Sequence, residues 1–346
     1  MNSSKRLKSA ICSDMTSASL DSPLSERFSP EYGRYLVASH DVAAGDLLLV
    51  DGPAATLAFR RGILCDYCLS MLGDSGFACS GGCGILFCSA QCEEAAAETF
   101  HTLDGECDVL RLADSNSTHS STCGETHKAS MPDVPDRFLI RVLAMLAVEA
   151  SLENVQLSEG ETLAACTTAE DGTQKRKTEQ TVNDSTNVSL RHALEELDAH
   201  EPSHDDPQQS WLLALAHQLH QRTQPIGHRL SEPQVRRLLC ALRCNSHTLY
   251  ASEEEEEAGG VGLYLRASRM NHSCRPNAEF YNVASALHVR AVVDIPAGAE
   301  VTVSYVALAD DLLTRRRALQ AQFNFWCRCE WCTQQEAEAK TEAEAE

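Results

Sequence analysis

The sequence has no long hydrophobic run, no net positive charge and no secretory leader, and each absence excludes a class of protein. No apolar run approaches the ~18 residues that a membrane-spanning helix needs. A net charge of −21 offers no basic face for general binding to a phosphate backbone. Residues 1–29 are polar and serine-rich, without the apolar segment of a signal peptide. We therefore expect a cytoplasmic or nuclear protein that binds neither membranes nor, directly, nucleic acid.

Length and composition set the scale of the fold. A chain of 346 residues can form one large domain or two to three modules, and an apolar fraction of 43% supports a real core. The acidic balance favours basic partners, such as lysine-rich protein tails, through long-range electrostatic steering. Part of the charge is local, at Glu253–Glu257 and in the 336–346 tail, and says little about the fold.

Sixteen cysteines need an explanation in such a chain. Since intracellular thiols stay reduced, clustered cysteines indicate metal ligands rather than disulfides. A cluster between residues 65 and 107 holds four pairs of soft ligands, enough for two tetrahedral zinc ions. Its members are Cys65, Cys68, Cys79, Cys83, Cys88, Cys92, His101 and Cys107. The density of the cluster disfavours the alternative of scattered structural cysteines. The C-x3-C spacing of Cys88 and Cys92 predicts that this pair opens a short helix.

A second group of motifs lies nearer the C-terminal end. The polar run Asn271–Cys274 follows the apolar stretch Gly260–Tyr264. A turn at Ile295–Gly298 and an alternating strand at Val301–Tyr305 come next. The last motif is a cysteine cluster made of Cys327, Cys329 and Cys332. An Asn-His pair that follows an apolar strand is costly to bury unless its polar groups are satisfied. Three thiolates are one short of a closed structural zinc site.

These four features, in this order, resemble the core of SET-domain lysine methyltransferases, and the 65–107 cluster resembles a MYND zinc finger. Over about residues 30–335 the chain is similar to SET and MYND domain-containing protein lysine methyltransferases, the SMYD family. It resembles the shorter members, which lack a C-terminal helical repeat domain. The resemblance implies an α+β fold: short SET-domain sheets with a pseudoknot, an inserted MYND zinc finger, a helical insert and a post-SET zinc site.

Segment boundaries follow from composition and from this resemblance. We predict a disordered N-terminus (1–29), an N-terminal SET segment (30–60), the finger (65–107), a helical insert with disordered loops (108–244), core SET (245–310), a post-SET zinc segment (311–335) and an acidic tail (336–346). Two short apolar runs, Gly33–Ala38 and Leu47–Val50, predict strands whose simplest local pairing is a β-hairpin. Helical patterns cover 137–155, 189–199, 208–223 and 231–244, and polar insertions cover 114–132 and 160–188.

The resemblance also implies how the metal ligands group, because ligand pairs interleave in MYND fingers. One ion takes Cys65, Cys68, Cys88 and Cys92, and a second takes Cys79, Cys83, His101 and Cys107. A third is completed by Cys274, which joins Cys327, Cys329 and Cys332. The spacings from Cys79 to Cys83 and from His101 to Cys107 exceed the family's usual ones. Another ligand nearby could therefore replace Cys107. Five cysteines outside these sets show no ligand spacing.

The implied cofactor is S-adenosyl-L-methionine, and the implied reaction is N-methylation of a protein lysine. The family's cofactor-contacting positions correspond to Arg34, Tyr35, Asn245, Asn271, His272, Tyr305 and Phe325. Tyr305 also matches the catalytic tyrosine of the family. The alternative interpretation is an aromatic side chain with a structural role at the end of a strand. A helix C-cap explains Asn245 equally well.

Methyl transfer needs a neutral amine aligned with the methyl group, whereas a free lysine of pKa ~10.4 is mostly ammonium at pH 7. A narrow aromatic channel can strip water from the amine and aim it. Two departures from the family bear on this chemistry. Phe323 stands where many members have a second channel tyrosine. Tyr35 replaces a glycine that faces the cofactor, which adds bulk at a close backbone approach.

The sequence therefore predicts a lysine methyltransferase acting on histone or non-histone proteins. The rival interpretation is an interaction scaffold, in which the finger binds a partner such as a Pro-rich peptide and the SET body is weak or inactive. A RING-like ubiquitin ligase module and a DNA-binding role are both disfavoured, the first by the SET motifs and the second by the acidic charge.

Overall fold

The structure is a computed structural model that describes residues 23–30, 33–59, 62–72, 76–102, 105–116, 136–165, 189–202, 207–250 and 258–345. Several predictions for polar segments lie wholly or mainly outside these residues. They concern the N-terminus up to residue 22, most of the insertions at 114–132 and 160–188, and the acidic loop Glu253–Glu257.

Short strands and medium-length helices make up the described chain. The strands are β1 Leu24–Ser29, β2 Gly33–Ala38, β3 Leu47–Asp51, β4 Ala55–Ala58, β5 Phe77–Ala78, β6 Leu86–Phe87, β7 Ser246–Tyr250, β8 Ala258–Leu263, β9 Asn271–His272, β10 Ala278–Val283, β11 Ala286–Ala291 and β12 Thr302–Val303. The helices are α1 Ala90–Thr99, α2 Glu106–Asn116, α3 Asp136–Ala165, α4 Leu190–Glu195, α5 Pro207–Thr223, α6 Glu232–Asn245, α7 Leu312–Phe323 and α8 Glu330–Ala345.

The strands form small sheets rather than one large one. Two three-stranded sheets have the orders β10-β11-β3 and β4-β8-β7, and three pairs join β1 with β2, β5 with β6, and β9 with β12. The β9–β12 pair is parallel and aligns Asn271 with Thr302 and His272 with Val303. This pairing connects segments about 30 residues apart in the chain, and it brings the Asn-His pair beside the strand that precedes Tyr305.

Two predictions for the N-terminal segment are wrong. Strands were expected at Gly33–Ala38 and Leu47–Val50, and both form, but they do not pair as a hairpin. β2 pairs with β1, and β3 pairs with β11 from the far end of the chain. The predicted disorder of residues 1–29 is also wrong for Leu24–Ser29, because pairing with β2 satisfies the backbone of that polar stretch.

The helical insert agrees well with its pattern. Predicted helices at 137–155, 189–199, 208–223 and 231–244 correspond to α3, α4, α5 and α6. Ser231 caps α6 in a capping box with Gln234, and Pro233 lies in the first turn, as its fixed φ favours. α3 is longer than predicted and continues to Ala165, while α2 continues to Asn116. The acidic tail up to Ala345 is part of α8.

A buried ion-pair network fastens the finger to α3. Arg141 of α3 is fully buried and donates from Nε to Glu106 Oε1 at 3.1 Å and from Nη1 to the Thr56 carbonyl of β4 at 2.6 Å. Its Nη2 also pairs with Asp66, in the first cysteine turn of the finger. One guanidinium therefore joins the finger, the helical insert and a SET-segment sheet.

Acid is expected to destabilise the fold through His228, which is buried with its ring neutral. Nδ1 accepts the Leu230 N–H at 3.0 Å, and Nε2 donates to Thr223 Oγ1 at 3.0 Å. Burial, with a smaller contribution from His220, lowers the pKa of His228 from 6.5 to about 4. The unfolded chain therefore binds the proton first, so this contribution to stability is present above about pH 6.5 and is lost as the pH falls toward 4.

Between pH 7 and pH 5 we expect His228 to account for a loss of roughly 1–2 kcal/mol in the free energy of unfolding. Urea unfolding of wild type and His228→Gln at both pH values measures this loss in the free energy of unfolding. Protonation of the metal ligands affects both proteins alike, so the difference between them isolates His228. The variant should show the smaller pH dependence. An equal pH dependence would contradict the assignment of this acid sensitivity to His228.

Among the described residues, no helix combines the length and the apolar character needed to cross a membrane.

Candidate functional site

The structure gathers the twelve predicted metal ligands into the three predicted groups. In each group the ligand atoms lie within 4.8 Å of one another. The groups are Cys65, Cys68, Cys88 and Cys92; Cys79, Cys83, His101 and Cys107; and Cys274, Cys327, Cys329 and Cys332. The interleaving expected of a MYND finger is present, since Cys68 Sγ lies 3.6 Å from Cys88 Sγ. Cys240 and Cys244 lie outside these groups.

The geometry of the groups fits zinc. A tetrahedral ion with Zn–S bonds of about 2.3 Å holds its sulfurs roughly 3.8 Å apart. Sulfur separations of 3.7 Å in the second group, between Cys79 and Cys107, and of 3.4 and 4.0 Å in the third are close to that value. Cys107 is fully buried beside Cys79, so its wide spacing from His101 does not displace it. α2, which begins at Glu106, carries the thiol back to the group.

His101 is held in place by a buried carboxylate. Its Nε2 faces Cys79 and Cys83 at 3.2 Å each, and its Nδ1 lies 2.7 Å from Glu106 Oε2. Burial opposes the charge on Glu106, but Arg141 and then the His101 hydrogen bond outweigh it and hold the pKa of the carboxyl well below its usual range. A carboxylate behind a histidine ligand fixes the tautomer and the ring orientation that a metal requires.

The Asn-His motif and Tyr305 form the centre of a second site. Asn271 Nδ2 donates to Glu300 Oε1 at 2.8 Å. The Tyr305 N–H donates to His272 Nδ1 at 3.0 Å, and the Tyr305 hydroxyl donates to the Met270 carbonyl at 2.5 Å. Tyr305 is thus held at both its backbone and its hydroxyl by residues 270–272. The predicted strand Val301–Tyr305 is shorter than expected and covers Thr302–Val303 only, which leaves Tyr305 beyond the strand end.

Aromatic rings surround Tyr305. Its ring centroid lies 4.7 Å from that of Phe323 and 5.3 Å from that of His272. Phe325 completes the group, 6.1 Å from His272 and 6.4 Å from Phe323. α7 ends at Phe323, and the left-handed conformation of Asn324 turns the chain so that Phe325 faces the same cluster. We call His272, Tyr305, Phe323 and Phe325 the aromatic cluster.

Tyr305 is a neutral hydroxyl in this setting. Burial raises its pKa, and the nearby carboxylates of Asp198 and Glu300 raise it further. The phenol therefore keeps its proton across the physiological range and donates it to the Met270 carbonyl.

The remaining predicted cofactor residues have structural partners outside the aromatic cluster. Arg34 pairs with Glu26 at 2.8 Å and with Glu196. Tyr35 follows in β2 and is half-buried. Asn245, the last residue of α6, donates from Nδ2 to the Ala241 carbonyl at 2.7 Å and to the Asp198 carbonyl at 2.8 Å. The helix-end interpretation of Asn245 therefore has direct support, and its side chain also connects α6 to the segment after α4.

A pocket adjoins the aromatic cluster. It is lined by residues of α6, of α7 and of the segment after α4. They include His200, Cys240, Cys244, Gln320 and Asn324. Cys244 packs, as Tyr305 and Phe325 do, against the buried group that contains Phe323 and Cys274, which places the pocket beside the aromatic cluster.

Sequence reasoning missed several residues of these sites. It gave no role to Glu106 and Arg141, to Cys244 or to the Met270 carbonyl. An arginine inside the apolar stripe of a predicted helix was the one available signal, since a buried guanidinium requires acidic partners. Nothing local marks a carbonyl as a hydrogen-bond acceptor for a tyrosine about 35 residues away.

A comparison with known protein families covers the metal groups, the aromatic cluster and the helical insert together. A family model for the SET domain matches residues 33–306, a span that includes the finger and the helical insert. The chain belongs to the SET-domain family.

Sequence relatives indicate which SET-domain proteins this chain resembles most clearly. Mouse histone-lysine N-methyltransferase SMYD3 is 27% identical over 310 residues, which are 89% of the chain and 60% of the relative. Xenopus laevis N-lysine methyltransferase SMYD2-B is 27% identical over 323 residues, 92% of the chain and 63% of the relative. Arabidopsis thaliana histone-lysine N-methyltransferase ASHR1 is 38% identical over 90 residues, 26% of the chain and 18% of the relative. The predicted resemblance to the SMYD family is confirmed.

The chain spans less than two thirds of the length of these relatives. Among solved structures, the SET domain of LSMT bound to lysine and AdoHcy matches with a TM-score of 0.44 and 12% identity, over 89% of this chain and 54% of that one. At that score the likeness adds nothing to the family assignment.

Proposed function

We propose that this protein is a protein-lysine N-methyltransferase that uses S-adenosyl-L-methionine. The observation that supports it best is the aromatic cluster, in which Tyr305 is held by the Asn271–His272 segment. This arrangement brings together the Asn-His motif and Tyr305, two of the features whose order in the sequence indicated the activity. Long alignments with SMYD2-B and SMYD3, which are lysine methyltransferases by name, support the same conclusion.

The residues present fit the cofactor. Cys244, in the wall of the pocket between α6 and α7, packs like Tyr305 and Phe325 against the buried group that contains Phe323 and Cys274. Asn271, His272 and Phe325 would hold the cofactor beside this wall, with Arg34, Tyr35 and Asn245 at its edge. When bound, S-adenosyl-L-methionine supplies an electrophilic methyl group on sulfur.

The chain's own part in catalysis is to prepare the amine. The rings of Tyr305, Phe323 and Phe325 exclude water, and desolvation favours the neutral lysine amine that attack requires. The Tyr305 hydroxyl gives its one proton to the Met270 carbonyl, so it orients the amine by accepting a hydrogen bond from the amine N–H. Phe323 offers no hydroxyl, so Tyr305 performs this positioning without the help of a second tyrosine at that position.

Three zinc ions are part of the proposal. The finger would bind two of them in its interleaved groups. Cys274 would share the third with Cys327, Cys329 and Cys332, which would tie the segment after the SET core to the Asn-His motif. Structural zinc sites of this closed kind contribute to folding directly.

The substrate class we infer is a lysine side chain of a basic protein, with histones as one candidate because several relatives carry that name. Exposed apolar side chains of the finger, Met71 and Phe77, and Ile63 just before it support a Pro-rich peptide as a second partner. Residence in the cytoplasm or the nucleus stays a prediction.

Calorimetric titration of S-adenosyl-L-methionine into zinc-loaded protein tests the proposal. We expect micromolar binding, and we expect Asn271→Ala to weaken it by about tenfold or more, since tenfold corresponds to about 1.4 kcal/mol. Asn282→Ala is the matched control, because Asn282 bonds to the Tyr250 backbone on a different sheet edge. Lack of binding by well-folded, zinc-loaded wild type would reject the enzyme and favour the interaction scaffold.

A further inference from the structure

The His272 ring faces two protein groups, one on each nitrogen. Nδ1 lies 3.0 Å from the Tyr305 backbone nitrogen, and Nε2 lies 3.1 Å from Cys274 Sγ. Cys274 belongs to the third metal group, and Tyr305 is the proposed catalytic residue. One imidazole therefore spans from a metal ligand to the aromatic cluster.

The two contacts fix the tautomer of the ring. A backbone N–H can only donate, so Nδ1 accepts from Tyr305 and carries no proton in the neutral ring. The proton is then on Nε2, which donates it to Cys274 Sγ. Such a donor orients a thiolate ligand and supports it from behind.

Four thiolates around one zinc ion carry an excess of negative charge, and hydrogen-bond donors around them reduce it. His272 and Arg315 are such donors here. Arg315 is buried, lies 3.9 Å from Cys332 Sγ and stacks on Trp331 at 4.2 Å. His272 differs from Arg315 because its second nitrogen acts on the proposed active site instead of on the metal segment.

We propose that His272 is a positioning residue through which the third metal group sets the place of Tyr305. When the third metal group holds its ion, the Cys274 thiolate is held in place. The thiolate then holds the imidazole through Nε2, and the imidazole holds the Tyr305 backbone through Nδ1. The hydroxyl of Tyr305 is fixed in turn by the Met270 carbonyl, two residues before His272. The coupling itself is structural, and only its consequence for catalysis rests on the proposed function.

Two substitutions at His272 test its contact with Tyr305 separately from its contact with Cys274. In His272→Asn the amide oxygen occupies the place of Nδ1, so it can still accept from the Tyr305 N–H but cannot reach Cys274. In His272→Gln the amide nitrogen occupies the place of Nε2, so it can still donate to the thiolate but gives Tyr305 no acceptor. The matched control is His288→Asn, a histidine on β11 whose ring contacts Tyr281.

The full chain loaded with ¹¹³Cd gives one cadmium resonance for each filled group, and Cys332→Ser identifies that of the third. Labelling with ¹⁵N-tyrosine gives amide peaks for the seven tyrosines, and Tyr305→Phe identifies that of Tyr305. We expect His272→Asn to shift the third cadmium resonance and leave the Tyr305 amide near its wild-type position. We expect His272→Gln to do the reverse. The two finger resonances report that the fold is intact.

A measurement on the wild type covers the case in which both variants unfold. Exchanging zinc for cadmium alters the metal–sulfur bonds, so the Tyr305 amide peak should move. Tyr67 lies between two ligands of the first group and should move as well, while the other five tyrosine peaks stay in place. An unmoved Tyr305 peak, or cadmium and amide shifts that change together in both variants, would overturn the proposal. Neither readout requires turnover, so a chain that failed to methylate lysine could still pass this test.

Discussion

Arg141→Met is expected to lower the free energy of unfolding by about 3–5 kcal/mol, because it leaves two carboxylates buried with too little positive charge. Glu106 is fully buried and Asp66 nearly so, and both pair with this guanidinium. The substitution also removes the hydrogen bond to the Thr56 carbonyl and the stacking of the guanidinium on Phe100 at 4.1 Å. Methionine fills much of the volume, so the loss reports mainly on charge.

Urea unfolding of the zinc-loaded chain measures this loss, with Arg111→Met as the matched control. Arg111 is exposed and pairs with Asp108 one turn earlier in α2, so its replacement should change stability little. Zinc should also leave the variant faster in a chelator, since Glu106 supports the ligand His101. Equal stabilities for the two variants would show that Arg137 alone compensates both carboxylates.

Tyr305→Phe is expected to lower kcat for the proposed methyl transfer by about 10²–10³-fold, the usual effect of removing one positioned hydrogen-bonding group at a reacting centre. The ring remains, so the contacts with Phe323 and His272 persist. Only the hydroxyl and its bond to the Met270 carbonyl are lost. The affinity for S-adenosyl-L-methionine and the zinc content should stay close to those of the wild type.

Turnover on a lysine-rich protein, followed by methyl transfer from labelled cofactor, measures this effect. Tyr281→Phe provides the control, because Tyr281 lies on β10 with its ring against His288 and Arg290, away from the aromatic cluster. We expect that variant to keep wild-type kcat. Full turnover by Tyr305→Phe would assign the positioning of the amine to another group.

Prediction from the sequence succeeded where the informative features are close together in the chain. Cys65 and Cys68 share one turn, and Ser231 with Gln234 specifies the start of α6, so residue type and spacing carry the information directly. The same reasoning failed for β2 and β3. Each is a plausible hairpin arm, but their partners are decided by which distant strands share the core, and Leu47–Val50 gives no sign of β11.

The metal groups lie between these cases. The resemblance supplied their interleaving, and the fold confirmed it by bringing Cys274 to the cysteines near residue 330. The direction of the His272 ring was not available in advance. The family resemblance assigned this residue to the cofactor, whereas the structure places its ring between a metal ligand and Tyr305.

By itself, the sequence determined the kinds of chemistry in this protein: the donor sets for zinc, the Asn-His motif, the tyrosine and the helix caps. These depend on residue type and short spacing, which the covalent chain preserves. The tertiary structure alone decided that Arg141 joins the finger to the insert and that His272 connects a thiolate to Tyr305. Such contacts arise between residues far apart in sequence, and their free energy comes from burying charge and hydrogen bonds together, which no single segment can do.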